Sequence, residues 1–221
     1  MIHKEIVSYI QELNKGIVLT NYKNAVPNTN ISIFVPDLKF AIDYHDLLDH
    51  SHGSRETAQE KKRHMDKANL CDEYGINLFQ IWEHEWKHKK DLIKSMISGK
   101  LGANRRLFAR KCTITELDSK QYKSFLKENH LQGGISSPIR YGLVHDDELV
   151  CVMGFVHNRI YEWEIGRFSS KKYTNIVGGA SKLLRHFIKN CDPKSILSYA
   201  NRNHSNGKMY KKLGFVLDST T

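Results

Sequence analysis

Two apolar runs, ISIFV from Ile31 and KFAIDY from Lys39, are separated only by Pro36, Asp37 and Leu38. Both runs are too short for a stable helix and rich in β-branched and aromatic residues, and the proline marks a turn where no ladder hydrogen bond is needed. The spacing predicts a pair of adjacent strands. Side chains alternate along a strand, so Ser32 and Phe34 face one way while Ile31, Ile33 and Val35 face the other. The pairing therefore allows Ser32 to sit beside Asp43 among apolar neighbours.

Around this hairpin the pattern changes period repeatedly. KEIVSYIQEL repeats apolar residues at helical spacing and GIVLT follows as a short strand; residues 56–74 read as a charged helix stopped at Gly75; INLFQIW reads as a strand, and 83–98 as a helix ended by Gly99. The polar, basic stretch KLGANRRLFARK is the expected boundary, which gives a first domain over 1–102, a linker over 103–111 and a second domain over 112–221. The second part runs strand (CTITEL), helix (SKQYKSFLKEN), glycine-rich loop (QGGISSP), three strands (IRYGLVH, ELVCVMGFV, YEWEIGRF), helix (GGASKLLRHFIKN), strand (SILSYA), helix (SNGKMYKKL) and a final GFVL. Both halves are α/β in type, with mixed sheets flanked by helices.

The formal charge of +10 favours a polyanionic partner, because lysines and arginines set against phosphates release condensed counterions. From Glu85 to Lys111 nine basic residues face two acidic ones, Glu85 and Asp91, a local excess of +7. Lys87, Lys89, Lys90, Arg105, Arg106, Arg110 and Lys111 are the expected contacts to DNA; a solvated helix face followed by a linker is the alternative meaning of the same run. The four cysteines, 71, 112, 151 and 191, form no Cys-x-x-Cys pair and read as reduced, mostly buried thiols. No stretch approaches the roughly 18 apolar residues of a membrane span, and the N-terminus has no signal core, so a cytoplasmic location without a membrane partner is expected.

ISIFVPDLKFAIDYHDLLDHS, then a helix bearing His64 and Lys67, then NLCDEYGINLFQIWEHEWKHKKDLIKSMISGKLG, resembles the nuclease half of phage homing endonucleases. That half has a very-short-patch-repair-like fold, a restriction-endonuclease-like mixed sheet with helices of PD-(D/E)xK type. The resemblance implies a Mg²⁺-assisted phosphodiester hydrolase in a phage-infected bacterial host, with Asp43 as metal ligand and Asp43, His50, His64 and Lys67 as catalytic residues, Glu83 or Glu85 lying nearby. The family carries an acid on the first strand where Ser32 stands here, and His45-Asp46 and Asp49-His50 replace the family's Asn-Gly and Trp-His. Serine supplies neither the charge nor the full ligand strength of a carboxylate.

In the second half, Gly178, Gly179 and Ala180 open a helix, and glycines there let backbone N–H groups approach a pyrophosphate. With SYANRNHSNGKMYKKLGF, which brings Tyr210 and Gly214-Phe215, this resembles the GNAT acetyltransferase fold over residues 112–217. Asn129 to Gly133 and Trp163 to Phe168 also resemble phage Mom-like DNA-modifying proteins. The resemblance implies acetyl-CoA held by Gly178, Gly179, Ala180 and Tyr210, whereas a retained fold without catalysis leaves those residues as a helix start and a core tyrosine. Three functions therefore stand: a homing-endonuclease-like protein binding double-stranded DNA through a compromised metal site, a catalytically silent phage protein occupying a host protein complex, and a CoA-dependent acyltransferase acting on DNA or protein.

Overall fold

The computed structural model describes residues 2–13, 16–45 and 58–219. The chain is mixed α/β and divides into two compact units, 1–101 with 200–208, and 102–199 with 209–221. Among the described residues no helix is long and apolar enough to cross a membrane.

The first unit opens with α1 (Ile2–Leu13), whose Ile6 and Ile10, one turn apart, are fully buried. β1 (Leu19–Val26), β2 (Thr29–Val35) and β3 (Phe40–His45) form an antiparallel meander. The sheet order is β1-β2-β3-β4, with β4 (Asn77–Trp82) parallel to β3. A parallel pair needs a crossover, which α2 (Ala58–Glu73) supplies. Gly75, at φ +72°, ends that crossover in a conformation that costs glycine nothing, and Ile76 N then donates to Cys71 O at 2.8 Å. α3 (Glu83–Lys100) buries Trp86, Ile93 and Ile97, and Trp86 Nε1 donates to Glu5 on α1 at 3.2 Å.

β4 is an edge strand, and its Gln80 N–H donates to Asn203 O at 2.8 Å. Arg202 and Asn206 of the same returning segment donate to Asn69 and Asp72 of α2 at 2.7 and 3.1 Å. Residues 200–208 thus serve the first sheet, although a division by sequence leaves them in the second domain. An exposed strand edge needs partners for its backbone, and this polar segment provides them.

In the second unit, β5 (Arg105–Phe108) lies where a linker is expected. It pairs in parallel with β10 (Thr174–Val177), from Arg105↔Thr174 to Phe108↔Val177, and a short 3₁₀ turn over Ala109–Lys111 follows. The segment is a strand because Leu107 and Ala109 are buried in the core while the arginines point outward. β6 (Thr113–Glu116), β7 (Ile139–His145), β8 (Glu148–His157), β9 (Trp163–Ser170) and β11 (Ile196–Leu197) form a sheet of order β11-β9-β8-β7-β6. β8 is buried from Val150 to Phe155, as its unbroken apolar run requires when both faces are covered. α4 (Ser119–Asn129) covers one face through Tyr122, Phe125 and Leu126, which pack with Leu117 and Val152. α5 (Gly179–Cys191) covers the other, where Phe187 stacks on Phe155 at 3.7 Å. α6 (Lys208–Lys212) follows, and the final GFVL forms no strand.

Candidate functional site

The β2–β3 register pairs Ile33 with Ile42, and one step further Ser32 donates to Asp43 Oδ1 through both its N–H, at 3.1 Å, and its hydroxyl, at 3.2 Å. Asp43 is only 2% exposed. Its other oxygen, Oδ2, forms an ion pair with Lys67 of α2, whose ammonium also donates to Asn30 O at 2.6 Å. His64 lies one helical turn before Lys67 and is likewise buried. His45, two residues after Asp43, brings its ring to 4.3 Å from that of His64 and 5.0 Å from Trp82.

Gln80, opposite Asp43 in the parallel ladder, joins the two histidines. Its Oε1 lies 3.2 Å from His45 Nε2, and its Nε2 donates to His64 O at 3.4 Å. Burial, followed by repulsion from His64, pushes the His45 pKa down to about 4. Burial also pushes the Cys71 thiol up to about 11, with the Asp43 charge adding to the effect.

A cleft of about 410 Å³ opens beside this cluster, lined by Asn30, His45, Arg63, His64, Asp66 and Lys67 among others. Asp43 is not part of that lining. Lys67 and His64 stand at the cleft, and the carboxylate lies behind them.

The structure thus brings together Ser32, Asp43, His64 and Lys67. His50 and the flanking Asp46 and Asp49 lie outside the described residues. Glu83 and Glu85 are engaged at the start of α3: Glu83 pairs with Lys87, and Glu85 accepts from Trp82 N at 3.2 Å and lies 3.5 Å from His204. Burial raises the Glu85 carboxyl, but the His204 hydrogen bond and charge outweigh it and hold the pKa low. Asn30 carries no signature of its own; a polar side chain between Phe79 and Ile81 in the run INLFQIW is the signal that marks Gln80.

Mg²⁺ binding requires several hard oxygen ligands in near-octahedral order. Among the described residues no three His, Cys, Asp or Glu are grouped to hold a metal. Of the two Asp43 oxygens, one accepts from Ser32 and the other holds the Lys67 ammonium. The described donors do not fit the ion.

The basic run divides between the two units. In the first, Lys87 pairs with Glu83, Lys90 with Glu5, and Lys94 lies 4.7 Å from the Tyr9 ring; Lys89 is half-buried. In the second, Arg105, Arg106, Arg110 and Lys111 are all exposed. Arg106 and Arg110 approach the ring of exposed Phe108 at 5.5 and 5.2 Å.

At the glycine turn, Gly178 caps α5 with φ +79°, and Gly179 and Ala180 are buried against the core. A Cβ on Gly179 would press on Ile176 at 3.0 Å, so this glycine allows β10 and α5 to approach closely. Lys182 of the first turn donates its ammonium to Ala109 O at 2.9 Å and Cys112 O at 2.5 Å. Tyr210 donates to Tyr199 O at 3.4 Å and meets Phe215 edge-on. The chain matches no protein-family model, no curated protein and no solved structure.

Proposed function

We propose that this chain is a DNA-binding protein of phage homing-endonuclease type in which the acidic centre of the first unit stabilises the fold rather than cutting DNA. The observation that carries DNA binding is the exposed Arg106–Phe108–Arg110 group, with Arg105 and Lys111 beside it. Among the described residues none of these four cations forms an ion pair with a carboxylate. Guanidiniums without acidic partners, set around an aromatic ring, offer phosphate neutralisation and a stacking face together. The lysines of α3 contribute less, since most of them already have acidic or aromatic partners. The mixed sheets of both units agree with the restriction-endonuclease-like and GNAT-like folds that the sequence resemblance implies.

The silent centre rests on the Asp43–Lys67 pair. An ammonium already lies where a cation would have to bind that carboxylate, and Ser32 brings no second acid. Titrating labelled duplex DNA with the full chain at several salt concentrations tests the first part. Affinity should fall steeply with salt, and Arg105→Glu with Arg106→Glu should flatten the log–log slope by about 2, given roughly 0.9 per phosphate contact. Unchanged affinity in that variant would remove this surface from the proposal. Efficient Mg²⁺-dependent cleavage by the unaltered chain would overturn the silent centre while leaving the DNA surface standing.

A further inference from the structure

The sheet of the second unit carries a row in which one glycine separates two arginines. Arg140 on β7 pairs with Gly154 on β8, and Gly154 pairs with Arg167 on β9. Directly opposed residues of antiparallel strands project from the same face, so both arginines flank a position that has no side chain.

A bulge in β9 sets this arrangement. Phe155 pairs with Ile165 and Gly154 with Arg167, which leaves Gly166 as the extra residue. One extra residue inverts the alternation that follows it. Trp163, Ile165 and Phe168 therefore join the core under α5, while Ser169 turns to α4, where its hydroxyl donates to Asn129 O at 2.6 Å. Arg167 shares that face.

The space above Gly154 holds hydroxyl groups. Any Cβ at Gly154 would overlap Tyr122 Oη and crowd Ser137 Oγ, which are 3.5 Å apart, a weak contact for two fully buried hydroxyls. Arg140 donates Nε to Leu117 O at 3.0 Å and Nη1 to Ser137 O; Arg167 donates Nη1 to Gly166 O at 2.7 Å. Arg167 Nε is buried and without a hydrogen-bond partner. Among the described residues no carboxylate lies within ion-pair distance of either guanidinium. Nearby, His130 Nδ1 accepts from Gln132 N at 3.2 Å, and burial together with Arg167 lowers its pKa to about 4, so the ring is neutral at physiological pH.

We propose that Arg140, Arg167, Tyr122 and Ser137 form a receptor for a phosphomonoester. Two guanidiniums match the charge of a phosphate dianion, and donors arriving from two strands, a helix and a loop suit a tetrahedral oxyanion better than a planar carboxylate. A buried donor and two unneutralised cations are costly to keep unless a ligand completes them. The ligand is independent of the DNA surface on β5 and of the Asp43 centre, and its phosphate belongs either to a free nucleotide or to a phosphorylated nucleic-acid end.

Thermal unfolding of the full chain in inorganic phosphate, against chloride of equal ionic strength at neutral pH, tests the receptor. Phosphate should raise the midpoint saturably, and Arg167→Gln or Arg140→Gln should weaken the apparent affinity by at least about tenfold with secondary structure retained. Should either glutamine variant fail to fold, Arg167→Lys, which keeps the charge but loses the fork, and Ser137→Ala read the same loss. Adenosine monophosphate, and a short oligonucleotide with a 5′-phosphate or a 5′-hydroxyl, separate the two sources. Stabilisation by the mononucleotide assigns a free nucleotide, and stabilisation only by the 5′-phosphorylated oligonucleotide assigns an end. Equal responses to phosphate and chloride, or an undiminished phosphate response in the arginine variants, would overturn the proposal.

Discussion

The two units bury charge in opposite ways. Around Asp43 the charge is closed: a lysine, a serine and a strand N–H hold the carboxylate, and two histidines and a glutamine complete the polar cluster. Around Gly154 two arginines use only backbone carbonyls, and one guanidinium nitrogen is left without a partner. A neutralised cluster loses stability when one partner is removed and has little left to offer a ligand. An unneutralised one gives up stability and keeps its attraction for an anion. The contrast is therefore measurable as an unequal response to removal of the cation.

The largest expected effect is at Lys67. Replacing it by methionine leaves the Asp43 carboxylate buried without its counter-ion, a loss of about 3–5 kcal/mol for one partner of a buried pair. Chemical denaturation of the full chain should show this, and the double variant Asp43→Leu, Lys67→Met should regain much of it, since a buried pair replaced by apolar groups is often close to neutral. Arg167→Gln, measured in chloride, should shift stability by no more than about 1 kcal/mol, because no counter-charge is abandoned. Equal losses at Lys67 and Arg167 would erase the distinction between the two clusters.

A smaller effect separates the clusters by pH. His45 in the first unit and His130 in the second both have folded pKa values near 4, below the ordinary 6.5. Above 6.5 both rings are neutral whether the chain is folded or not. Between 6.5 and 4 the unfolded chain takes up protons that the folded chain refuses, so stability falls as pH falls through this window, at up to about 1.4 kcal/mol per pH unit for each histidine. His45→Gln and His130→Gln should each flatten the dependence of the unfolding midpoint on pH. Arg167→Gln removes a charge that helps hold the His130 pKa down and should flatten only the His130 contribution; an equal effect on the His45 contribution would break the separation of the two clusters.

These features were unevenly legible in the sequence. The hairpin around Pro36, the placement of Ser32 beside Asp43, and His64 and Lys67 on one helix all follow from local periodicity, which acts within about ten residues. Strand β5 does not, because RRLF is basic and mostly exposed and its partner Thr174–Val177 is nearly seventy positions away. Nor does the return of residues 200–208 to the edge of β4, where the pairing atom is a backbone carbonyl that any residue would supply. The Arg140–Gly154–Arg167 row depends on cross-strand register and on the Gly166 bulge, and WEIGRF read as a plain alternating strand places Arg167 with Ile165 instead. Charge followed the same rule: the +7 excess is visible as a sum, but which cations are already paired is a tertiary property.

The smallest expected effect distinguishes the arginine row from the other anion-binding candidate of the second unit, the turn at Gly178. That turn has N–H groups at the start of α5, but the ammonium of Lys182 in the same helix is held by two carbonyls, and its glycine is needed for conformation. At φ +79° an alanine adopts the left-handed region at a cost of about 1 kcal/mol, and its Cβ would meet only Ala109 Cβ at an ordinary 3.8 Å. Gly178→Ala should therefore lower stability by about that amount and leave the phosphate-induced rise in midpoint intact. Gly154, where conformation is ordinary and space is not, should behave differently. A methyl there displaces the Tyr122 hydroxyl, so Gly154→Ala should lose the phosphate response along with stability. If instead Gly178→Ala abolishes the response and Gly154→Ala preserves it, the oxyanion site lies at the head of α5, and the unneutralised arginines must be explained without a ligand.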